Sequence, residues 1–414
     1  MPPSYDVIVA GGGPGGSTVA GRLAQAGHRV LVLEKELFPR FHLGESLLPM
    51  SLAVFDALGV TPKLDARLIR KHGAWFVDGQ SGECVSFKFA NAMQSGHPHA
   101  FHGPRAEIDH VLLDHAIELG AEVRQGREVA TLVREREQVV GVAVRSPDAR
   151  EEILTAKVVV DATGRDALAS RAPGAKVKTP RLERTLAIFS HFDGCQRMTG
   201  ADEGDIRIVI VPEGWFWVIP FRGDRTSVGV VLSPGSIAGA ASDLDGVLSR
   251  ACLASPPMRA IMHGSRQVFA ARAAADFSYR VPRASGHGWL AVGDAAGFID
   301  PLFSTGLHLA VKGADLAARA IGDALASGDV SSARWASYER VTKQAAETYI
   351  GVVQAFYDGT LVRLLFDTEK RDIMRKMITS VLAGDVFHEE TPRWLKEVVK
   401  RYPPRQRDDV AQAR

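Results

Sequence analysis

The fold is decided by the stretch YDVIVAGGGPGG, residues Tyr5–Gly16, in which a short apolar run passes directly into a glycine-rich turn. The apolar run predicts a buried strand, and residues Ser17–Ala26 after the turn predict a helix. A second β-rich run, Arg29–Glu34, follows. The segment therefore predicts a strand, turn, helix and strand unit, with which an α/β fold can begin.

The glycines of this turn have the spacing GxGxxG, which binds dinucleotides when a strand precedes it and a helix follows it. Gly11 permits the tight turn, Gly13 lets the backbone approach a pyrophosphate, and Gly16 lets the helix pack closely on the strand. Pro14 lies in the same turn, and the N-terminus of the helix that follows would direct N–H groups and a partial positive charge at phosphates. Glu34 ends the second strand, where it would accept hydrogen bonds from ribose hydroxyls and disfavour a 2′-phosphate.

Two basic residues are further candidates for this cofactor site. Lys35 directly follows Glu34, and Arg105 directly precedes the predicted helix Ala106–Leu119. A surface position at the start of that helix explains Arg105 equally well, so both interpretations of Arg105 stay open.

The rest of the chain predicts more strands, then a change of pattern, then helices. Residues 129–145 and Val158–Asp161 read as strands of the same sheet, and Trp289–Val292 as another. Antiparallel strands are predicted at Leu186–Phe192, Ile206–Val211, Trp215–Pro220 and Ser227–Leu232. Helices are predicted at Gly306–Ser327, Ser332–Thr360, Thr368–Ala383 and Thr391–Tyr402. The dense strands in the middle indicate a second, inserted sheet.

One of these predicted strands, within GWFWVIPF (Gly214–Phe221), is apolar on both faces. Strand periodicity puts Trp215, Trp217 and Ile219 on one face, and the residues between them are also apolar. Pro220 would end such a strand because it cannot donate to a sheet ladder. Local sequence alone therefore predicts a core strand that is buried on both sides.

Composition excludes several classes of protein. The 414 residues are 46% hydrophobic and 24% charged, as in soluble globular proteins. The 50 Lys and Arg residues nearly balance 48 Asp and Glu residues, so we expect no nucleic-acid partner. The three cysteines form no CxxC pair, which argues against a disulfide framework. We expect a cytoplasmic protein without an export signal or a membrane span.

Two further segments decide between NAD and FAD. The stretches VVVDATGR (Val158–Arg165) and GDAAGFIDPLFSTG (Gly293–Gly306) resemble the second and third cofactor segments of flavoproteins of the aromatic hydroxylase fold. The resemblance implies FAD, with Asp294 bonded to the ribityl or ribose region. A helix that begins near Gly306 would also direct N–H groups and a positive dipole end at reduced flavin or at a halide.

With GWFWVIPF added, the chain resembles the flavin-dependent halogenases, most closely those that act on phenols or pyrroles. Trp215, Trp217, Ile219 and Pro220 match the family's Trp-x-Trp-x-Ile-Pro motif at every fixed position. Further matches are FHLGESLLP (Phe41–Pro49), KHGAWF (Lys71–Phe76) and DPLFSTGLHLA (Asp300–Ala310). The tryptophans would shield the flavin from organic substrate.

The resemblance implies a sequence of chemical steps. Reduced FAD and dioxygen would oxidise chloride or bromide, held by the N–H groups of Thr305 and Gly306, to hypohalous acid. The oxidant would pass through an internal tunnel to Lys71, the predicted catalytic residue, which directs halogenation of an electron-rich aromatic ring. Arg70 and His72 beside Lys71 instead suggest a solvated surface lysine, and this alternative stays open.

The departures from the family pattern concern the partners. No nicotinamide-binding motif is visible, so a flavin reductase is expected to supply FADH2. Phe303 stands where halogenases of free tryptophan carry a glutamate, which favours a phenol or pyrrole as substrate, either free or bound to a carrier protein. The alternatives are an FAD-dependent aromatic monooxygenase and a geranylgeranyl-reductase-like flavin oxidoreductase. His97, His99 and His102 are expected to be solvated loop residues, and no metal site is expected.

These expectations combine into one architecture. A discontinuous Rossmann-like FAD-binding domain of the aromatic hydroxylase type is expected to comprise residues 1–70, 101–184 and 270–330. The inserted, mostly antiparallel β-sheet domain on the substrate side would comprise residues 71–100 and 185–269. A C-terminal helical region would follow at residues 331–414.

Overall fold

The computed structural model describes residues 4–94, 96–171, 175–180, 182, 185–233, 243–275, 278–367 and 372–388. Its strands are β1 (Tyr5–Ala10), β2 (Val30–Glu34), β3 (Ile69–Lys71), β4 (Gly73–Asp78), β5 (Cys84–Lys88), β6 (Ala100–His102), β7 (Glu122–Gln125), β8 (Glu128–Glu135), β9 (Gln138–Arg145), β10 (Glu151–Asp161), β11 (Val177–Lys178), β12 (Leu186–Asp193), β13 (Ile206–Val211), β14 (Gly214–Pro220), β15 (Arg225–Leu232), β16 (Arg266–Gln267), β17 (Arg272–Ala275), β18 (Tyr279–Arg280), β19 (Ser285–Gly286), β20 (Trp289–Ala291) and β21 (Gly297–Phe298). Its α-helices are α1 (Pro14–Gln25), α2 (Pro49–Leu58), α3 (Thr61–Asp65), α4 (Arg105–Glu118), α5 (Leu244–Ala254), α6 (Pro256–Met262), α7 (Thr305–Ser327), α8 (Ala336–Tyr357), α9 (Thr360–Phe366) and α10 (Asp372–Leu382).

The first sheet has the order β19-β20-β10-β1-β2-β7. Strands β20, β10, β1, β2 and β7 run parallel, and β8 and β9 form an antiparallel extension of β10. The apolar residues of β2 and those of β1 from Val7 onward are buried, and α1, α4 and α7 pack over one face. The Rossmann-like prediction is confirmed, because the buried parallel strands form near-continuous apolar runs as expected.

The second sheet has the order β16-β12-β15-β14-β13-β4-β5. All four predicted middle strands are present within two residues of their predicted bounds. Strand β14 lies between β15 and β13, and every residue after Gly214 is buried. The strand is therefore buried on both faces, as its sequence predicts, and it is a central strand of the inserted sheet.

The C-terminal region is helical as far as the structure describes it. The predicted helix Ser332–Thr360 begins as a 3-10 turn and divides at Gly359, whose φ of 77° ends α8 before α9 begins. The predicted helix Thr391–Tyr402 lies outside the described residues. Among the helices that are described, none is both long enough and apolar enough to cross a membrane. The three predicted domain ranges stay a prediction.

Candidate active site

A cavity of about 410 Å³ extends from the β1–α1 turn to β14 and the loop before α7. Most residues assigned to the cofactor from sequence line it, namely Gly11, Gly13, Pro14, Glu34, Lys35, Arg105, Asp294 and Gly306. A volume of this size is typical of small-molecule and cofactor sites. The structure thus brings residues from distant parts of the chain to one cavity.

The three motif glycines have different surroundings. A Cβ atom on Gly11 would lie 2.3 Å from the carbonyl oxygen of Ala162, and one on Gly16 would lie 1.9 Å from that of Gly11. The backbone can therefore pack this closely only with glycine at both positions. Gly16, which was assigned to the cofactor site from sequence, does not line the cavity. A Cβ atom on Gly13 would meet only Arg40 Nη2, at 3.5 Å. The surface of Gly13 is thus open to a ligand, while the other two close the turn.

The start of α1 is suited to an anion. Pro14 occupies the first turn, no side chain caps the helix, and no acidic residue lies in that turn. The N–H groups at a helix N-terminus need partners, and phosphate oxygens can provide them. Arg40, which the sequence analysis missed, places its guanidinium beside this turn and lines the same cavity. The only sequence signal for it is a basic residue in the loop before the FHLGESLLP match.

Glu34 and Lys35 lie at the end of β2, at one end of the cavity. Glu34 is buried, and its carboxylate accepts hydrogen bonds from the backbone N–H of Gly12 at 2.7 Å and of Glu36 at 2.8 Å. A carboxylate has about four lone-pair sites, so ribose hydroxyls can still donate to it. Lys35 forms a half-exposed ion pair with Asp166, across the mouth of the cavity.

Arg105 is not a surface residue, so that interpretation is wrong. It is 7% exposed, and its guanidinium donates to both carboxylate oxygens of Asp109, at 2.7 and 2.9 Å, and to Leu43 O at 2.9 Å. Asp109 also accepts from Arg40 at 3.1 Å. The two arginines share one buried carboxylate, which fixes both guanidinium groups at the cavity.

Asp294 follows the left-handed Gly293 and is half-buried in the cavity wall. Burial raises the pKa of Asp294 to about 6, against the opposing charges of Arg105 and Arg165. Its Oδ1 atom lies 3.9 Å from the position of a Cβ atom on Gly306. The carboxyl group and the start of α7 therefore face the same space.

The loop before α7 has an unusual backbone. Phe303 and Ser304 both adopt left-handed conformations, with φ of 65° and 59°, and neither is a glycine. Such conformations cost free energy and are concentrated at functional sites. No side chain caps α7, and Thr305 and Gly306, the first two residues of the helix, both line the cavity. Successive N–H groups at such a helix start form an anion-binding cradle.

The Trp-x-Trp-x-Ile-Pro residues form the wall opposite this loop. Trp215, Trp217 and Ile219 line the cavity, whereas Pro220 pairs with Thr226 at the end of the strand and does not. The two indole rings are 6.1 Å apart. Trp217 lies over β15, where a Cβ atom on Gly229 would be 2.3 Å from its ring. This wall is therefore rigid and apolar.

Phe303 belongs to an aromatic cluster beside the same wall. It is 5% exposed, and its ring centroid lies 6.3 Å from that of Phe76 and 5.8 Å from that of Phe356. Phe356 also contacts Trp215, at 6.5 Å between centroids. The C-terminal helix α8 thus contributes to the cavity's surroundings.

Lys71 is buried, so the solvated alternative is wrong. It is 2% exposed, and its Nζ atom donates to Ser46 Oγ at 3.0 Å and to Leu47 O at 3.4 Å. Burial lowers the pKa of Lys71 to about 7, although Asp205 opposes this. Lys71 does not itself line the cavity, but Ser46 does. An amine with a lowered pKa thus lies one hydrogen bond from the cavity.

His102 was expected in a solvated loop, and this prediction is wrong. It is fully buried in β6, where it pairs with Ile69 next to Lys71. Both of its ring nitrogens lack a hydrogen-bond partner within the described residues. His97 and His99 are partly exposed. In the ranges that the structure describes, no cluster of residues could hold a metal ion.

The cavity fits FAD on several independent observations. Gly13 is open beside an uncapped helix start, and two arginines lie close by. Glu45 lines the middle of the cavity; its Oε1 atom pairs with His191 at 2.7 Å, while its buried Oε2 atom has no partner among the described residues. An unpartnered buried oxygen of this kind is suited to a ligand donor. The residues present therefore fit a large, polar, phosphate-bearing cofactor.

Comparison with known proteins gives consistent matches. The sequence profile of the family described as "Tryptophan halogenase" matches residues 6–103 and 90–363. A 1H-pyrrole-2-carbonyl-(peptidyl-carrier protein) chlorinase of Pseudomonas fluorescens is 31% identical over 407 residues, covering 92% of this chain and 90% of the relative. A tryptophan 2-halogenase of Chondromyces crocatus is 30% identical, covering 86% of this chain and 69% of the relative.

Solved structures agree with the sequence matches. The flavin-dependent brominase Bmp2 superposes with a TM-score of 0.87 at 26% identity, covering 97% of this chain and all of that chain. The myxobacterial chondrochloren halogenase CndH superposes with a TM-score of 0.81 at 30% identity, covering 96% of each chain.

Proposed function

Because this chain belongs to the tryptophan halogenase family of flavin-dependent halogenases, we propose that it oxidises chloride or bromide with reduced FAD and dioxygen and uses Lys71 to halogenate an electron-rich aromatic ring. Membership of this family favours a halogenase over the monooxygenase and geranylgeranyl-reductase alternatives. The observation that carries the proposal is the buried amine of Lys71, one hydrogen bond from a cavity that fits FAD.

The halide would bind at the start of α7. The N–H groups of Thr305 and Gly306 lie at the uncapped start of α7, where both residues line the cavity, and the positive end of the helix dipole favours an anion there. The left-handed backbone at Phe303 and Ser304 directs these donors. Bound FAD, when reduced, would supply two electrons to dioxygen, and the halide would supply the other two as it is oxidised.

The wall of Trp215, Trp217 and Ile219 would separate the flavin from the substrate. Its indoles are fixed, because Trp217 Nε1 donates to Ser227 Oγ at 3.1 Å and the ring packs against Gly229. A rigid apolar wall keeps organic molecules away from the oxidising centre while a small neutral oxidant, hypohalous acid, can pass beside it. The same wall would keep water out and reduce loss of the oxidant.

Lys71 would receive this oxidant through Ser46. A neutral amine is nucleophilic, so its nitrogen can take the halogen as N–X while the hydroxyl of the acid leaves with the amine proton as water. Transfer of the halogen to the aromatic carbon then restores the amine. Because burial lowers the pKa of Lys71 to about 7, a large fraction of the amine is neutral near pH 7, and the N–X route requires this neutral form.

The substrate would be a phenol or a pyrrole. Phe303 presents a ring, not a carboxylate, within an aromatic cluster with Phe76 and Phe356. A relative of similar length acts on a pyrrole held by a carrier protein, so we extend a carrier-bound substrate to this chain as part of the proposal. The described residues include one dinucleotide-type glycine turn, so a separate flavin reductase would supply FADH2.

The test is Lys71→Met, which keeps the length and burial of the side chain but removes the amine. The wild type, with a flavin reductase, NADH, FAD and halide, should give halogenated product from a phenol or pyrrole. The variant should bind and reoxidise FAD normally but give no halogenated product. Arg70→Met is the matched control, since Arg70 is exposed on the same strand, and it should retain product formation. Halogenation by Lys71→Met at the wild-type rate would refute the role of the lysine.

A further inference from the structure

Asp300 is a buried carboxyl group of the cavity wall that neither the sequence analysis nor the proposed function assigns. It is 2% exposed and lies in the loop that leads to the predicted halide site. Its Oδ1 atom accepts from the N–H of Leu302 at 2.9 Å, and its backbone oxygen accepts from Thr305 Oγ1 at 3.3 Å. The carboxyl group is thus held by the same short loop whose end presents N–H groups to an anion.

A hydrogen-bonded chain joins Asp300 to the protein surface. Tyr357, in the last turn of α8, donates its hydroxyl to Asp300 Oδ2 at 3.1 Å and accepts from Trp215 Nε1 at 3.3 Å. Tyr357 is 37% exposed, while Asp300 and Trp215 both line the cavity. A partly exposed tyrosine is thus hydrogen-bonded directly to a carboxyl group inside the cavity.

The surroundings of Asp300 contain no compensating charge. The titratable side chain that faces the Asp300 carboxyl from a neighbouring element is Tyr357 of α8. Within the described residues, Asp300 takes part in no ion pair. Burial raises the pKa of Asp300 to about 7, against the hydrogen bonds from Leu302 and Tyr357. Asp294, the other carboxyl group of the cavity whose pKa is raised, differs because the positive charges of Arg105 and Arg165 oppose the rise. A buried carboxyl without a cation favours its neutral form.

The stoichiometry of halogenation requires a proton in this cavity. Dioxygen, the two hydrogens of reduced FAD, one halide ion, one proton and one Ar–H give Ar–X and two molecules of water. The O–O and C–H bonds break, a C–X bond forms, and dioxygen is the oxidant. Charge balances only if a proton enters with each halide, and it leaves in water. A buried anion beside an ionised Asp300 would be repelled, whereas one beside the neutral acid would not.

We propose that Asp300 carries, as a carboxylic acid, the proton that enters the cavity with each halide ion, and that Tyr357 connects this carboxyl to solvent. This inference rests on the proposed halide site. It adds that halide and proton bind together, so that halide affinity falls as pH rises above the range in which Asp300 ionises. If one proton binds with each halide ion, the halide affinity can fall by at most about tenfold for each unit of pH increase.

The experiment is calorimetric titration of the FAD-loaded protein with bromide at pH 8, in two buffers of different ionisation enthalpy. The difference in heat gives the number of protons taken up per halide. The wild type should take up close to one proton, and its affinity should fall about tenfold between pH 8 and pH 9. Asp300→Asn keeps the shape of the side chain; it should bind bromide without proton uptake and with pH-independent affinity.

Tyr357→Phe removes one hydroxyl and should slow halogenation at least tenfold while proton uptake at equilibrium persists. The matched control is Tyr349→Phe, because the buried Tyr349 hydroxyl has no partner within the described residues and its loss should leave turnover unchanged. Bromide binding by the wild type without proton uptake would overturn the inference, and so would full uptake by Asp300→Asn. Unchanged turnover in Tyr357→Phe would overturn the route through the tyrosine. A wild type that neither binds halide nor halogenates would instead refute the proposed function.

Discussion

Replacing Lys71 by Met should make the protein more stable while removing its activity. The lysine is 2% exposed, and its hydrogen bonds go to a hydroxyl and a carbonyl, not to a carboxylate. Its amine has a pKa of about 7 in the folded protein against 10.5 ordinarily. Between these two values the unfolded chain binds a proton that the folded protein does not, so stability rises with pH across this window.

The size of the effect follows from this difference. At pH 8 the buried amine costs about 3 kcal/mol, since each pH unit below 10.5 corresponds to about 1.4 kcal/mol. At pH 10 the cost is below about 1 kcal/mol, and below pH 7 it reaches its full value of about 5 kcal/mol. Met has no charge to desolvate. The advantage of Lys71→Met over the wild type should therefore shrink by about 2 to 3 kcal/mol between pH 8 and pH 10.

The assay is thermal unfolding of the FAD-free protein at both pH values. For 414 residues, a difference of about 2 to 3 kcal/mol corresponds to a midpoint shift of about 2 to 4 °C at pH 8 relative to pH 10. Lys88→Met is the matched control with the opposite sign, because Lys88 pairs with Asp202 and with the buried Asp205. A pH-independent difference between Lys71→Met and the wild type would show that the amine is not desolvated, and the reasoning would fail.

Three further predictions concern the glycine turn and the tryptophan wall. Gly13→Ala should leave the thermal stability of the FAD-free protein unchanged but weaken FAD binding in a fluorescence titration. Gly16→Ala should prevent stable folding, because its Cβ would lie 1.9 Å from a backbone oxygen. Equal stability of the two variants would contradict this. Gly229→Ala should destabilise the protein by about 1 to 3 kcal/mol in denaturant unfolding, because the new Cβ displaces the Trp217 ring; unchanged tryptophan fluorescence would argue against it. Trp217→Ala should lower halogenated product per NADH consumed and give oxygenated product by mass spectrometry, and a purely structural ring would lower stability without changing this ratio.

The parts of the fold that the sequence predicted are those with local causes. The β1–α1–β2 unit follows from apolar runs and glycine spacing within 30 residues, and β14 follows from alternation within Trp215–Pro220. The left-handed pair before α7 left no comparable signal, because neither Phe303 nor Ser304 is a residue that favours positive φ.

The site was predicted less completely, since its pairs are distant in sequence. Glu45 pairs with His191 across 146 residues, and Asp300 with Tyr357 across 57, and no spacing rule connects such positions. The environment of Lys71 was ambiguous because β3 has only three residues, and its alternation exposes Arg70 while burying the lysine. Such a strand is too short for a periodicity argument. The resemblance of KHGAWF favoured a buried role for Lys71, whereas local composition favoured the surface.

The central claim is that this protein halogenates an aromatic ring through Lys71, and the most direct measurement is the mass of the product. Purified protein, a flavin reductase, NADH, FAD and bromide would be supplied with phenols and pyrroles, each free and carrier-tethered, for the wild type and Lys71→Met. We predict that the wild type adds bromine to at least one phenol or pyrrole and that Lys71→Met adds none while consuming NADH at the same rate. Hydroxylated product from the wild type, or equal bromination by both proteins, would contradict the account.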